Sequence, residues 1–190
     1  MSTDFRALVD RLHKGESDAA EQIVRQYEPE IRRIVRSRLR DPRLRRVVDS
    51  MDICQSVFGR FFVQVTVGGY DLNSEKDLVK LLTRMATNKV IDKHRTEDSQ
   101  RRLVQSRIDA ELEGTAPSTG STLPESPVVF DELFERIQER LSEREREVSR
   151  LRTQGMSWMD IAKELGESPQ AVRKRLERAC IRVTKELGID

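Results

Sequence analysis

SWMDIAKELGESPQAVRKRLERA, residues 157–179, contains two short helical patterns on either side of a Gly-Glu-Ser-Pro break. Ala162 is followed four residues later by Gly166 and six residues beyond that by Val172. A small residue lets two helices approach closely, a glycine takes the left-handed backbone that a tight turn demands, and a branched apolar side chain pins the second helix on the first. Ser168 is a good N-cap and Pro169 an ideal first-turn residue, so the second helix is expected to start sharply there. The segment reads as a helix-turn-helix.

Along the second of these helices, Val172, Leu176, Ala179 and Val183 form an inward stripe and leave Gln170, Arg173, Lys174, Glu177, Arg178 and Arg182 facing outward. A basic surface helix often does no more than keep a protein in solution. The Ala-Gly-Val frame tips the balance toward DNA contact. In such a motif the N-terminal half of the helix enters the major groove, where Arg pairs with guanine and Gln with adenine, and the other cations hold phosphates. Trp158, a single indole on a short helix, is expected in the core.

Around this motif the chain reads as helical in both directions. Residues 128–141, 143–153, 157–165 and 168–187 form four short helices. Upstream of them, GTAPSTGSTLPESP, residues 114–127, lacks apolar periodicity and is expected to be a flexible tether between two small domains. Before the tether, apolar spacing predicts a short helix over 5–12, a long one over 16–40 that Pro29 should kink or break, and another starting at Asp49 or Ser50. A third long helix, capped by Ser74, carries Leu78, Leu82, Met85 and Ile91 and runs on toward residue 102. No strand is evident, and with 36% charged and 5% aromatic residues the expected fold is all-α: two small helical domains joined by a flexible linker.

The formal charge is only +2, yet its distribution is uneven: eight arginines lie between Arg32 and Arg46 against the single acid Asp41. Cys54 and Cys180 belong to no Cys-x-x-Cys or Cys/His cluster and read as small core residues. His13 and His94 read as solvated helix residues. The amino-terminal residues hold no apolar run of signal-peptide type, and nowhere is there an apolar stretch able to span a bilayer, so a soluble cytoplasmic protein is expected, without membrane association. Neither a nucleophile, nor a carboxylate pair in a formed site, nor a Gly-rich phosphate cradle is present. No enzymatic activity, cofactor or metal is expected.

Two distant blocks together resemble the extracytoplasmic-function (ECF) group of bacterial RNA polymerase sigma factors. LSEREREVSRLRTQGMSWMDIAKELGESPQAVRKRLERA, residues 141–179, is similar to the group's domain four; MDICQSVFGRFF, residues 51–62, and LVKLLTRMATNKVIDKHR, residues 78–95, are similar to its domain two. The resemblance implies domain two over 1–103, a linker over 104–130 and domain four over 131–190. It assigns Asp52, Gln55, Phe58 and Phe61 to the helix that grips the beta-prime clamp of core polymerase. Asn88 would read a base extruded from the melted minus-ten element, within a pocket walled by the loop over 67–73, and Lys89, Lys93 and Arg95 would hold the single strand. Domain four would read the minus-thirty-five element and meet the beta flap. Many members carry Trp where this chain has Leu81. Core polymerase and promoter DNA are thus the implied partners, and control is left to another chain, such as an anti-sigma protein or a kinase. The alternative is a polymerase-independent helix-turn-helix regulator.

Overall fold

The computed structural model describes residues 3–39, 49–108 and 127–189. Among them there are eight helices and no strand: α1 (Thr3–His13), α2 (Ser17–Arg38), α3 (Ser50–Thr66), α4 (Glu75–Ile108), α5 (Pro127–Arg140), α6 (Glu143–Thr153), α7 (Trp158–Leu165) and α8 (Pro169–Glu186). The all-α expectation holds. The linker expected over 104–130 differs at both ends, because α4 continues to Ile108 and α5 already starts at Pro127; residues 109–126 lie outside the described residues.

Pro29 does not end α2, which runs as one helix. The proline is exposed, and so is Arg25, whose carbonyl loses its helical partner there, so water can satisfy the orphaned acceptor. Tyr27 and Ile31 meanwhile remain buried on the inner face. α3 begins where Asp49 accepts a hydrogen bond from the Met51 amide at 2.9 Å. The expected Ser74 cap on α4 is formed too, with the Asp77 amide donating to the Ser74 hydroxyl at 3.2 Å.

Two hydrophobic cores result. The first gathers α1, α2, α3 and α4 around Phe58, Phe61 and Phe62, and Phe130 of α5 closes it edge-on to Phe62 with ring centroids 5.0 Å apart. The second is built from α6, α7 and α8 with Ile137 and Leu141 of α5. α5 therefore serves both cores, and the domain boundary expected at residue 130 falls inside it. α3 is the other shared element. Phe58, Phe61 and Phe62 face the first core, whereas Val63, at the end of α3, and Val67 just beyond it join the second. A largely apolar helix belongs in an interior, and α3, with only Asp52 fully exposed, packs against α1, α2, α4, α5 and α8.

Both cysteines are core residues as expected, and burial pushes each thiol up to about 12. His13 departs from its solvated reading: it is half-buried, both ring nitrogens are shielded, and burial lowers its pKa so that the ring is neutral at pH 7.

Candidate nucleic-acid interface

α7 is capped by Ser157 and stops at Gly166, whose φ of 66° is left-handed. The Ser168 hydroxyl then accepts from the Ala171 amide at 3.2 Å, with Pro169 in the first turn of α8. Three residues thus turn the chain between two helices. Val172, Leu176, Ala179 and Val183 are buried, and Gln170, Arg173, Lys174, Glu177, Arg178 and Arg182 are all exposed, as the periodicity predicts.

The cations of that face are not equivalent. Arg182 is tied down: its guanidinium donates to Glu145 at 2.7 Å and to the Arg140 carbonyl at 2.9 Å, and pairs with Glu186 at 3.4 Å. It braces α8 against α5 and α6. Arg175 makes a bidentate pair with Glu167 at 2.9 and 2.7 Å, and Arg144 adds a contact at 3.2 Å. Those guanidiniums, Arg175 foremost, hold the Glu167 carboxyl below its ordinary pKa. Among the described residues no ion pair engages Arg173, Lys174 or Arg178, which leaves them available to an anionic ligand.

On α3, Asp52 is exposed and Gln55 half-exposed, one turn apart on one face. Phe58 and Phe61 are each 0% exposed. Their assignment to a partner-gripping surface is corrected: both rings are spent on the first core, where they hold α3 in place.

Tyr70, Asp71, Leu72 and Asn73, after α3, line a pocket of about 270 Å³ with Asp77, Lys80, Leu81 and Arg84 of α4. Burial raises the Tyr70 pKa, so its phenol is a neutral donor. Asn88 does not line this pocket. It is exposed one turn beyond Arg84. Lys80 and Arg84 are what the sequence reading missed. Stepping three residues and then four from Asp77, beside the Ser74 cap, brings both onto the face that meets the loop. A larger groove of about 660 Å³ runs between α2 and α4, with Ile34, Thr87 and Ile91 as its floor and Arg38, His94 and Arg95 around it. Arg95 lines this groove, Lys93 is exposed beside it, and Lys89 is half-buried. Of the basic run between Arg32 and Arg46, Arg32 pairs with Glu28 at 2.5 Å and Arg36 reaches Ser50 at 3.4 Å; residues 40–46 lie outside the described residues.

A family model described as ECF sigma factor matches residues 2–188. The chain belongs to the ECF sigma factor family. The basic face of α8 and the loop pocket are accordingly parts of a DNA-binding protein that acts in transcription initiation. No curated protein matches the sigma factor's sequence. Sigma factors are not an enzyme family, and among the described residues no group of three or more His, Cys, Asp and Glu could hold a metal ion. No described helix of this sigma factor is long and apolar enough to cross a membrane.

Proposed function

We propose that this sigma factor binds core RNA polymerase through the Asp52–Gln55 face of α3 and directs initiation at promoters that carry two elements. α8 reads duplex DNA at the minus-thirty-five element, Arg173 and Gln170 facing base edges and Lys174 and Arg178 facing phosphates. The loop pocket takes an unstacked base of the melted minus-ten strand, with Lys80 and Arg84 beside its phosphates. Reading both at once turns two weak contacts into one strong one and selects the spacing between elements. The observation that carries this reading is the exposed basic face of α8, free of ion pairs at Arg173, Lys174 and Arg178, presented behind a three-residue turn.

The test is transcription from a random-promoter library by purified core polymerase with and without the chain. Dependent starts should share two spaced motifs. Arg173→Ala should cost about 1–3 kcal/mol at one base position of the upstream motif, and Lys80→Ala/Arg84→Ala should weaken every start alike. Tight duplex binding by the chain alone, with no polymerase-dependent start, would assign it instead to the regulators.

A further inference from the structure

Several arginines of this chain are answered from within it. Arg152 of α6, at the seam between the two cores, binds Asp71 and lies 4.2 Å over the Trp158 ring, and Arg175 and Arg182 hold Glu167 and Glu145. In the cleft of about 310 Å³ between α3 and α8, the acid Glu177 stands with Arg60 and Arg173. The groove of about 660 Å³ between α2 and α4 is different. Arg38 and Arg95 border it, no ion pair among the described residues engages either, and no described residue that lines it is acidic. Its floor is aliphatic: Ile34, Val90 and Ile91, the last 45% exposed, a large apolar side chain left uncovered beside two unpaired guanidiniums. Ser37 and Thr87 commit their hydroxyl protons to the Ile34 and Thr83 carbonyls at 2.8 and 2.7 Å, which leaves the guanidiniums as the strongest donors facing a ligand.

From this chemistry we infer that the groove is a binding site for an amphiphilic carboxylate, whose aliphatic body lies on Ile34, Val90 and Ile91 and whose head group is taken by Arg38 and Arg95. Guanidinium and carboxylate match in charge and in planar geometry, and because Arg38 belongs to α2 and Arg95 to α4, a bound head group ties the two helices together. The size agrees, since small-molecule sites run to about 300–1000 Å³ and are mostly apolar with a few placed polar groups. A partner helix fits less well: a stable protein interface takes about 800 Å² from each side, and this floor offers three aliphatic side chains. Along α4, Arg84, Asn88, Ile91 and Arg95 follow at steps of four, three and four, one stripe that leads from the loop pocket to the groove. A ligand held by Arg95 therefore cancels a cation on the stripe where Arg84 meets the melted strand, a consequence that rests on the function proposed above. Strand capture weakens when the groove is filled, and initiation responds directly to a small molecule.

Calorimetric titration of the full-length chain with dodecanoate, kept below its micelle concentration, tests the site. Binding should be saturable at a single site, and dodecan-1-ol, which has the same body without the charge, should bind at least about tenfold more weakly. Arg38→Gln/Arg95→Gln should remove that preference for the carboxylate, and Ile91→Asn should weaken both ligands. All three side chains are exposed, so unchanged helicity by circular dichroism is expected of the variants. Met159→Ala, at the 72% exposed apolar residue of α7, should leave the titration as it is. In polymerase-dependent transcription, saturating dodecanoate should lower starts from the wild-type chain several-fold, and those from Arg38→Gln/Arg95→Gln much less relative to their own ligand-free level. Equal affinity for acid and alcohol, binding indifferent to both arginines, a titration that Met159→Ala abolishes, or starts unaffected by a filled groove would each overturn the inference. Wild-type chain that yields no dependent start without ligand would instead remove the function proposed above and leave the binding result standing.

Discussion

Four phenylalanine rings meet around α3, while the core beneath α8 contains none, and two of its helices have only 11 and 8 residues. The long helices tolerate poor ends. α2 starts without a side-chain cap, contains Pro29 and still runs over 22 residues, because burial of Ile23, Tyr27, Ile31 and Val35 outweighs both defects. The two short helices have little apolar area to offer, and each is fixed at its start by a serine, Ser142 in a capping box and Ser157 as a single cap; Ser168 caps the 18-residue α8 in the same way. Burial sets the shape of one unit and local termini set the shape of the other.

The most severe way to break that contrast is Phe62→Ala. Phe62 lies 5.4 Å from Phe61 and 5.0 Å from Phe130, ring to ring, and its removal should cost about 3–5 kcal/mol in urea unfolding. A loss below about 1 kcal/mol would show that packing is not what holds α3. In the second unit the corresponding site is a turn. A Cβ at Gly166 would meet nothing within 4 Å, so Gly166→Ala isolates the backbone cost of a φ of 66°, about 1–2 kcal/mol, and Gly166→Asn should lose less. Equal stability of all three proteins would refute a turn held by glycine.

The smallest effect sharpens the contrast through charge. Burial alone would raise the Glu145 pKa, but the Ser142 amide and the Arg182 guanidinium overcome it and hold the carboxyl below its ordinary 4.5. A depressed folded pKa means stability that is present above pH 4.5 and lost as pH falls through the folded value. Glu145→Gln should therefore cost under about 1 kcal/mol at pH 7, and the gap to wild type should close in thermal melts taken at progressively lower pH. A gap that persists at low pH would mean that shape, not charge, matters there.

These differences also explain what the sequence disclosed. Ala162, Gly166, Ser168 and Pro169 act within one or two turns, so the α7–α8 turn, the exposed face of α8 and the capping of α4 could be read residue by residue. Docking could not. Val57, Phe58 and Phe61 describe one amphipathic face, and nothing local says that Val63 and Val67 will be covered by a second unit. For the same reason Phe58 and Phe61 were open to a partner-binding reading until the first core enclosed them. Arg182 shared its helix face with Arg178, and its ties to Glu145 and Arg140 come from helices some forty residues away in sequence. Lys80 and Arg84 were legible in principle, by counting along α4 from its cap.

The chain has one tryptophan, and it stands at the seam: the Arg152 guanidinium lies over the Trp158 ring while it holds Asp71 across the interface. Its indole also borders the cleft between α3 and α8. A single native fluorophore therefore sits where the charge and the water around it depend on how the two cores pack, and its emission reports on that packing without a label.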